Sequence, residues 1–163
     1  MMKKIVQQDN SVLRKIAEPI VVSDIKKAAT KKMLVEMFES LRTQHDGVAL
    51  AAPQIGYSKR AFVVSPTIFD TGVIIPLVYI NPIVIKRSRD KKLMEEGCLS
   101  CRWLYGQTKR SSRVTVRAFD EKGTEFVVEG KGLLAQIFQH EIDHLDGILF
   151  IDHAKKLREV EPE

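Results

Sequence analysis

The sequence predicts an α+β fold. Two helical patterns bracket a series of strand-like runs, and no regular βαβ alternation joins them. Within that series, Val114, Val116 and Ala118 alternate with Thr115, Arg117 and Phe119, Glu121-Lys122-Gly123 supplies a turn, and 124–129 returns as the second arm of a β-hairpin. The second helical pattern carries His140-Glu141-Ile142-Asp143-His144, an H-E-x-x-H, among apolar residues. A chain of 163 residues is most simply one domain, 1–163, with a core of its own.

Residues 1–22 read as an irregular N-terminal arm anchored by Val12, Leu13 and Ile16 and broken at Pro19. Ser23 is a good N-cap for an amphipathic helix over about 24–44, where Ile25, Met33, Leu34, Met37 and Leu41 form the apolar stripe and the lysines lie largely opposite. Small residues dominate 46–56, a tight loop that lets backbone approach a ligand and aims Gln54 at a cleft. Strands are expected over 60–65, over 73–80 up to Asn81-Pro82, and over 83–86. Glu95-Glu96-Gly97-Cys98-Leu99-Ser100-Cys101 reads as a site, since a glycine-flanked cysteine beside paired acids does not suit a core. Leu133, Leu134, Ile137, Phe138 and Leu145 recur at helical spacing between Gly132, which opens the run, and Gly147, which suits a left-handed C-terminal position. Residues 154–163 read as a short, frayed, acidic tail.

At 44% hydrophobic and 29% charged, the composition is that of a soluble globular protein. No apolar run approaches a membrane span, and Met1-Met2-Lys3-Lys4-Ile5 is not followed by the apolar stretch of a signal peptide. The expected location is the cytoplasm. The net charge is +5, but acids are interleaved with the scattered basic residues, which reads as a solvated surface with no specific nucleic-acid binding.

On a helix, residues i and i+4 lie one above the other, so His140 and His144 can hold one metal ion from one side while Glu141 reaches a water beside it. That is the arrangement of a metal hydrolase. A catalytic site needs a third ligand and an open position. Downstream, Phe150 stands where the longer metzincin motif requires histidine, and only Glu159, Glu161 and Glu163 follow. Cys98 is the better candidate, because a thiolate is a strong ligand. A closed structural site of Cys98, Cys101, His140 and His144 is the alternative. It would make the chain a zinc-stapled binding module with a basic surface for RNA. A metallopeptidase cutting internal bonds is another reading.

Three stretches resemble, in order, the motifs of the peptide deformylase family: 47–54, Glu96-Gly97-Cys98-Leu99-Ser100 and Gln139-His140-Glu141-Ile142-Asp143-His144. Leu13-Arg14-Lys15-Ile16-Ala17 is similar to the family's N-terminal segment. The resemblance implies antiparallel sheets packed around a central helix that carries H-E-x-x-H, with a further N-terminal helix. It implies removal of the formyl group from the N-terminal formyl-methionine of nascent polypeptides by metal-activated water. Cys98, His140 and His144 would bind the metal, Fe(II) by nature, with zinc, nickel or cobalt able to replace it. Glu141 would be general base and then acid, and Gln54 and the Leu99 N–H would face the oxyanion. Val48, Ala49, Met94, Gly97, Leu133, Gln136 and Ile137 would contact the substrate, and Arg110 would pair with Glu96 behind the site. Transient proximity to the ribosome follows from such a substrate.

The chain departs from the family at Ala49, at Gln136, at Cys101-Arg102 and in its short tail. Gln136 is expected to make the methionine pocket more polar. Arg102 is a candidate for meeting the peptide's carboxylate end, and Cys101 for an oxidation partner of Cys98.

Overall fold

The computed structural model describes residues 2–162. In chain order it contains α1 (Ala28–Arg42), β1 (Ala49–Ala51), β2 (Ala61–Val64), β3 (Val78–Arg87), β4 (Lys91–Gly97), β5 (Leu104–Ser111), β6 (Arg113–Phe119), β7 (Glu125–Lys131), α2 (Leu133–Leu145) and β8 (Lys155–Glu159). One sheet has five strands in the order β1-β2-β3-β6-β7, and the other has three in the order β4-β5-β8. Every strand pair is antiparallel.

The five-stranded sheet is covered on both faces around β1 and β2, which explains their unbroken apolar sequence. Phe62 and Val64 of β2 face α2, packing with Tyr79, Phe138, Ile142 and Leu145. Ala61 and Val63 face α1, packing with Met33, Leu34, Met37 and Leu41. Phe62 and Tyr79 stack with ring centroids 4.6 Å apart, and the tilted ring of Phe138 lies 5.3 Å from that of Tyr79. Gly130 lets β7 lie against α2: a side chain there would meet Phe138 at 2.8 Å.

Three local expectations are corrected. The first helix begins at Ala28, not near residue 24, and its N-cap is Lys27. Ser23 lies instead in a short 3-10 turn, Val22–Asp24, whose Asp24 carbonyl accepts a bond from the Thr30 hydroxyl at 2.9 Å. The expected strand over 73–80 starts only at Val78 and runs straight through Asn81-Pro82 to Arg87. The chain passes this point on a bulge, with Asn81 at φ 52° and a register shift between Ile80 and Ile83. The Asn81 side chain fixes the kink by bonding both N–H and C=O of Ile20, at 2.8 and 2.7 Å. The tail is not frayed, because β8 pairs with β5 and sets Leu104 opposite Glu159 and Gln107 opposite Lys155.

Candidate active site

The C-terminal end of α2 is tightly secured, which fixes the histidines. Gly132 enters the helix at φ 56°, ψ −124°, a conformation that favours glycine. Gly147 leaves it at φ 76°, and a side chain there would lie 2.7 Å from the Arg14 carbonyl oxygen. The Leu145 carbonyl accepts from Ala17 N at 2.8 Å and from Arg60 Nη1 at 2.9 Å, so the arm and a cation close the negative end of the helix. Gln139, to which the sequence reading gave no role, clamps α2 onto β5. Its side chain accepts from Ser111 N and donates to Ser111 O, each at 2.9 Å. A buried amide preceding two histidines on an apolar helix was the available signal, since such a group needs partners.

The loop after β4 brings Cys98 to this helix. Cys98 Sγ lies 3.3 Å from His144 Nε2. The ligand atoms of Cys98, His140 and His144 all fall within 4.8 Å of one another. Cys101 is not among them: it is fully buried with Leu13, Leu149 and Phe150, which removes the basis for the closed four-ligand site. His140 Nδ1 meets Glu96 Oε2 at 2.7 Å, which leaves Nε2 for an ion. Burial holds the His144 pKa well below its ordinary value, so this imidazole is neutral, as a metal ligand must be. Contact with Cys101 and burial push the Cys98 thiol up; a cation would reverse this. One thiolate, two imidazoles and an open side suit a catalytic transition-metal or zinc ion.

Glu141 is buried beside these ligands, and its Oε2 has no hydrogen-bond partner among the described residues. Burial pushes its pKa up to about 7, the range a proton carrier needs. Gln54, also buried, accepts from Ala51 N at 2.8 Å and turns its Nε2 toward Ser100 Oγ (3.1 Å) and Cys98 Sγ (3.7 Å).

These groups open on a cleft of about 310 Å³. Val48, Ala49, Gly97, Leu99, Leu133, Gln136 and Ile137 line it, together with Gln54, Glu96, Cys98, His140 and Glu141. Met94, on β4 two residues before Glu96, is not among these lining residues. Asp46, Glu95, Arg102 and Tyr105 also line the cleft, and of these Tyr105 had been given no role. Arg102 is already engaged, bidentate to Asp46 at 2.7 and 3.0 Å and bonded to Gln44 at 2.7 Å. It ties the two rims of the cleft together, so its guanidinium is not free for a peptide carboxylate. The Gln136 amide likewise donates to Glu95 O at 2.9 Å and Glu96 Oε1 at 3.1 Å. Arg110 pairs with Glu96 through Nη2 at 2.6 Å and Nε at 3.1 Å, both side chains buried.

Residues 2–160 match the family model for polypeptide deformylase. The chain is 44% identical over 154 residues to peptide deformylase 1 of Bacillus subtilis, covering 94% of this chain and 91% of that one. It is 40% identical over 158 residues to the peptide deformylase of Rhizobium meliloti, covering 96% and 87%. Among solved structures it is similar to the peptide deformylase of Thermotoga maritima, with TM-score 0.84, 35% identity and coverage of 95% of this chain and 99% of that one. It is also similar to the Met-Ala-Ser-bound class I type b peptide deformylase of Acinetobacter baumannii, with TM-score 0.82, 30% identity and coverage of 94% and 98%. The arrangement of Cys98, His140 and His144 around an open cleft therefore stands in a chain that belongs to the polypeptide deformylase family.

Proposed function

We propose that the protein removes the formyl group from the N-terminal formyl-methionine of nascent polypeptides, releasing formate and a free amine. The observation that carries this reading is Glu141, whose buried Oε2 has no hydrogen-bond partner among the described residues, beside the Cys98, His140 and His144 donors, with Cys98, His140 and Glu141 lining one cleft. These three residues would hold the metal, Fe(II) by nature, with zinc, nickel or cobalt as substitutes. When bound, the ion supplies a Lewis acid that makes water nucleophilic near neutral pH.

The chain's own groups do the rest. Glu141 takes the proton of the attacking water and passes it to the amine as the C–N bond of the formamide breaks. Gln54 Nε2 and the Leu99 N–H face the oxygen on which charge develops. The exposed edge of β1, with Val48 and Ala49, and Gly97 across the cleft guide an extended peptide. Leu133, Ile137 and the stem of Gln136 form the wall for the methionine side chain. Glu96 and Arg110 stand behind His140 and hold its ring. Such a substrate places the protein in the cytoplasm and near the ribosome; no helix among the described residues is long and apolar enough to cross a membrane.

The test is formate release from formyl-Met-Ala-Ser by protein of measured metal content. Glu141→Ala should retain the metal and lose turnover by about 10²–10⁴-fold. Stoichiometric metal in the wild type without formate release would refute the proposal.

A further inference from the structure

Segment 86–92, Lys-Arg-Ser-Arg-Asp-Lys-Lys, crosses from the five-stranded to the three-stranded sheet and carries five cations against one carboxylate. Strand register adds three more exposed cations. Arg113 accepts from Ser88 N at 2.9 Å through its carbonyl and stands directly opposite Lys131. Lys109 lies two residues along β5 from Ser111, the partner of Lys91.

Within this segment the signs are segregated. Elsewhere Arg14 meets Asp152, Arg60 meets Asp146 and Arg102 meets Asp46. Among the described residues, none of the eight cations of this patch makes an ion pair. The carboxylate within the segment, Asp90, is taken by the Ser112 hydroxyl. Glu129, two residues from Lys131, stands at the margin. Like charges directly across a sheet, as at Arg113 and Lys131, destabilise it unless an anion lies between them. The patch holds more positive charge than the whole chain's net +5, so the rest of the chain, buried groups included, is slightly negative. Five of the eight cations form a run in the sequence, and strand pairing adds the other three.

We propose that this patch docks the phosphate backbone of RNA. Guanidinium groups bind phosphate bidentately, and Arg87, Arg89 and Arg113 supply three of them. Alternate residues of a strand repeat at about 6.6 Å, close to two base rises of ~3.4 Å along a nucleic-acid strand. Segment 86–92 contains no aromatic residue on which bases could stack, so the contact reads charge and not sequence. The patch sits about 20 Å along β4 from Gly97, leaving the cleft open while the backbone is held. The choice of RNA as the polyanion rests on the proposed action on nascent chains, which emerge from an RNA-rich machine.

The experiment is fluorescence anisotropy of a labelled single-stranded RNA 20-mer with metal-loaded protein across a salt series. Binding should be non-specific, with Kd on the order of 10⁻⁴–10⁻⁶ M, and weaken steeply with salt at a log–log slope of about −0.7 per phosphate contacted. Arg87→Glu/Arg113→Glu/Lys131→Glu should weaken binding at least 10-fold and flatten that slope by about 2, with formate release from a free peptide unchanged. Lys26→Glu/Lys31→Glu/Lys32→Glu, on α1 and the turn before it, alters net charge equally and should weaken binding less than threefold. Three results would overturn the proposal: no binding at 50 mM salt, equal loss in both variants, or binding of phosphatidylserine vesicles but not RNA. The anisotropy signal is independent of turnover, so loss of the deformylase reading and loss of RNA binding are told apart.

Discussion

Glu96 shows how one side chain organises the site. Its Oε1 accepts from Thr108 Oγ1 at 2.8 Å, Arg110 Nε at 3.1 Å and Gln136 Nε2 at 3.1 Å, and its Oε2 from Arg110 Nη2 and His140 Nδ1. Burial alone would push this carboxyl up, but the His140 and Arg110 donors outweigh it and hold the pKa well below the usual carboxylate range. Glu96 is therefore an ion, and the charge that balances it is Arg110, whose Nη1 also reaches Asp143 at 2.7 Å. The residue reading of Glu96 as a group needing a cation follows from burial cost alone. Gln136, which looked like a polar intrusion into the pocket, spends its amide on the Glu96 cluster. Removing Arg110 strands a buried charge, so Arg110→Leu should cost about 3–5 kcal/mol in urea unfolding. Arg110→Lys should recover only part, because an ammonium cannot span two carboxylates as a planar fork does. A loss below ~1 kcal/mol for Arg110→Leu would mean that the pair contributes little.

At the scale of elements, legibility in the sequence followed the range of the forces involved. α2 and the β6–β7 hairpin were plain because periodicity and turn residues are local signals. The cluster of Cys98, His140 and His144 was plain because a helical i, i+4 pair fixes two of them and thiolate chemistry favours the third. β4 and β5 were invisible: Lys91-Lys92-Leu93-Met94-Glu95 is polar and charged, and its strand exists because Glu96 must turn inward to His140. The rim pair Arg102–Asp46 and the clamp Gln139–Ser111 join residues 56 and 28 positions apart, and no local pattern announces them. β8 was read as a tail for the same reason. Its residues are exposed, and what holds it is main-chain pairing to β5, with Val160 N bonded to Trp103 O at 2.9 Å. Truncation after Ala154 should therefore leave α2 intact and expose β5 as an edge. Amide exchange over 104–107 should accelerate at least 10-fold, while helix α2 keeps its protection. Unchanged exchange over 104–107 would show that β8 does not pair in solution.

Across the whole molecule, the proposed metal would add a link between parts that Gln139–Ser111, Arg110–Asp143 and His140–Glu96 already join. Cys98 belongs to the loop leaving the three-stranded sheet, whereas His140 and His144 belong to the helix packed on the five-stranded one. Around Cys98 the remaining side-chain ties come from Gln54, Gln7 and Arg102, and Gln54 Nε2 reaches both Ser100 Oγ and Cys98 Sγ. Gln7 donates to Leu99 O at 3.0 Å and accepts from Arg102 N at 3.2 Å, and Arg102 reaches Asp46 at the far rim. Helix α2 has the aromatic core beneath it and the Gln139 clamp beside it, so it does not depend on the ion. Chelation should thus act unevenly. An ion present at 1,000 times its Kd contributes about 4 kcal/mol to stability, which for a chain of this size corresponds to a fall in Tm of roughly 10 °C on removal. Hydrogen exchange over 98–104 should rise sharply in the metal-free protein, while Phe138 and Ile142 in α2 remain slow. Re-addition of the ion should restore both Tm and protection. A metal-free protein with unchanged Tm and an unchanged 98–104 loop would mean that Gln7, Gln54 and Arg102 suffice to set the loop, and that the donors are preorganised without the ion.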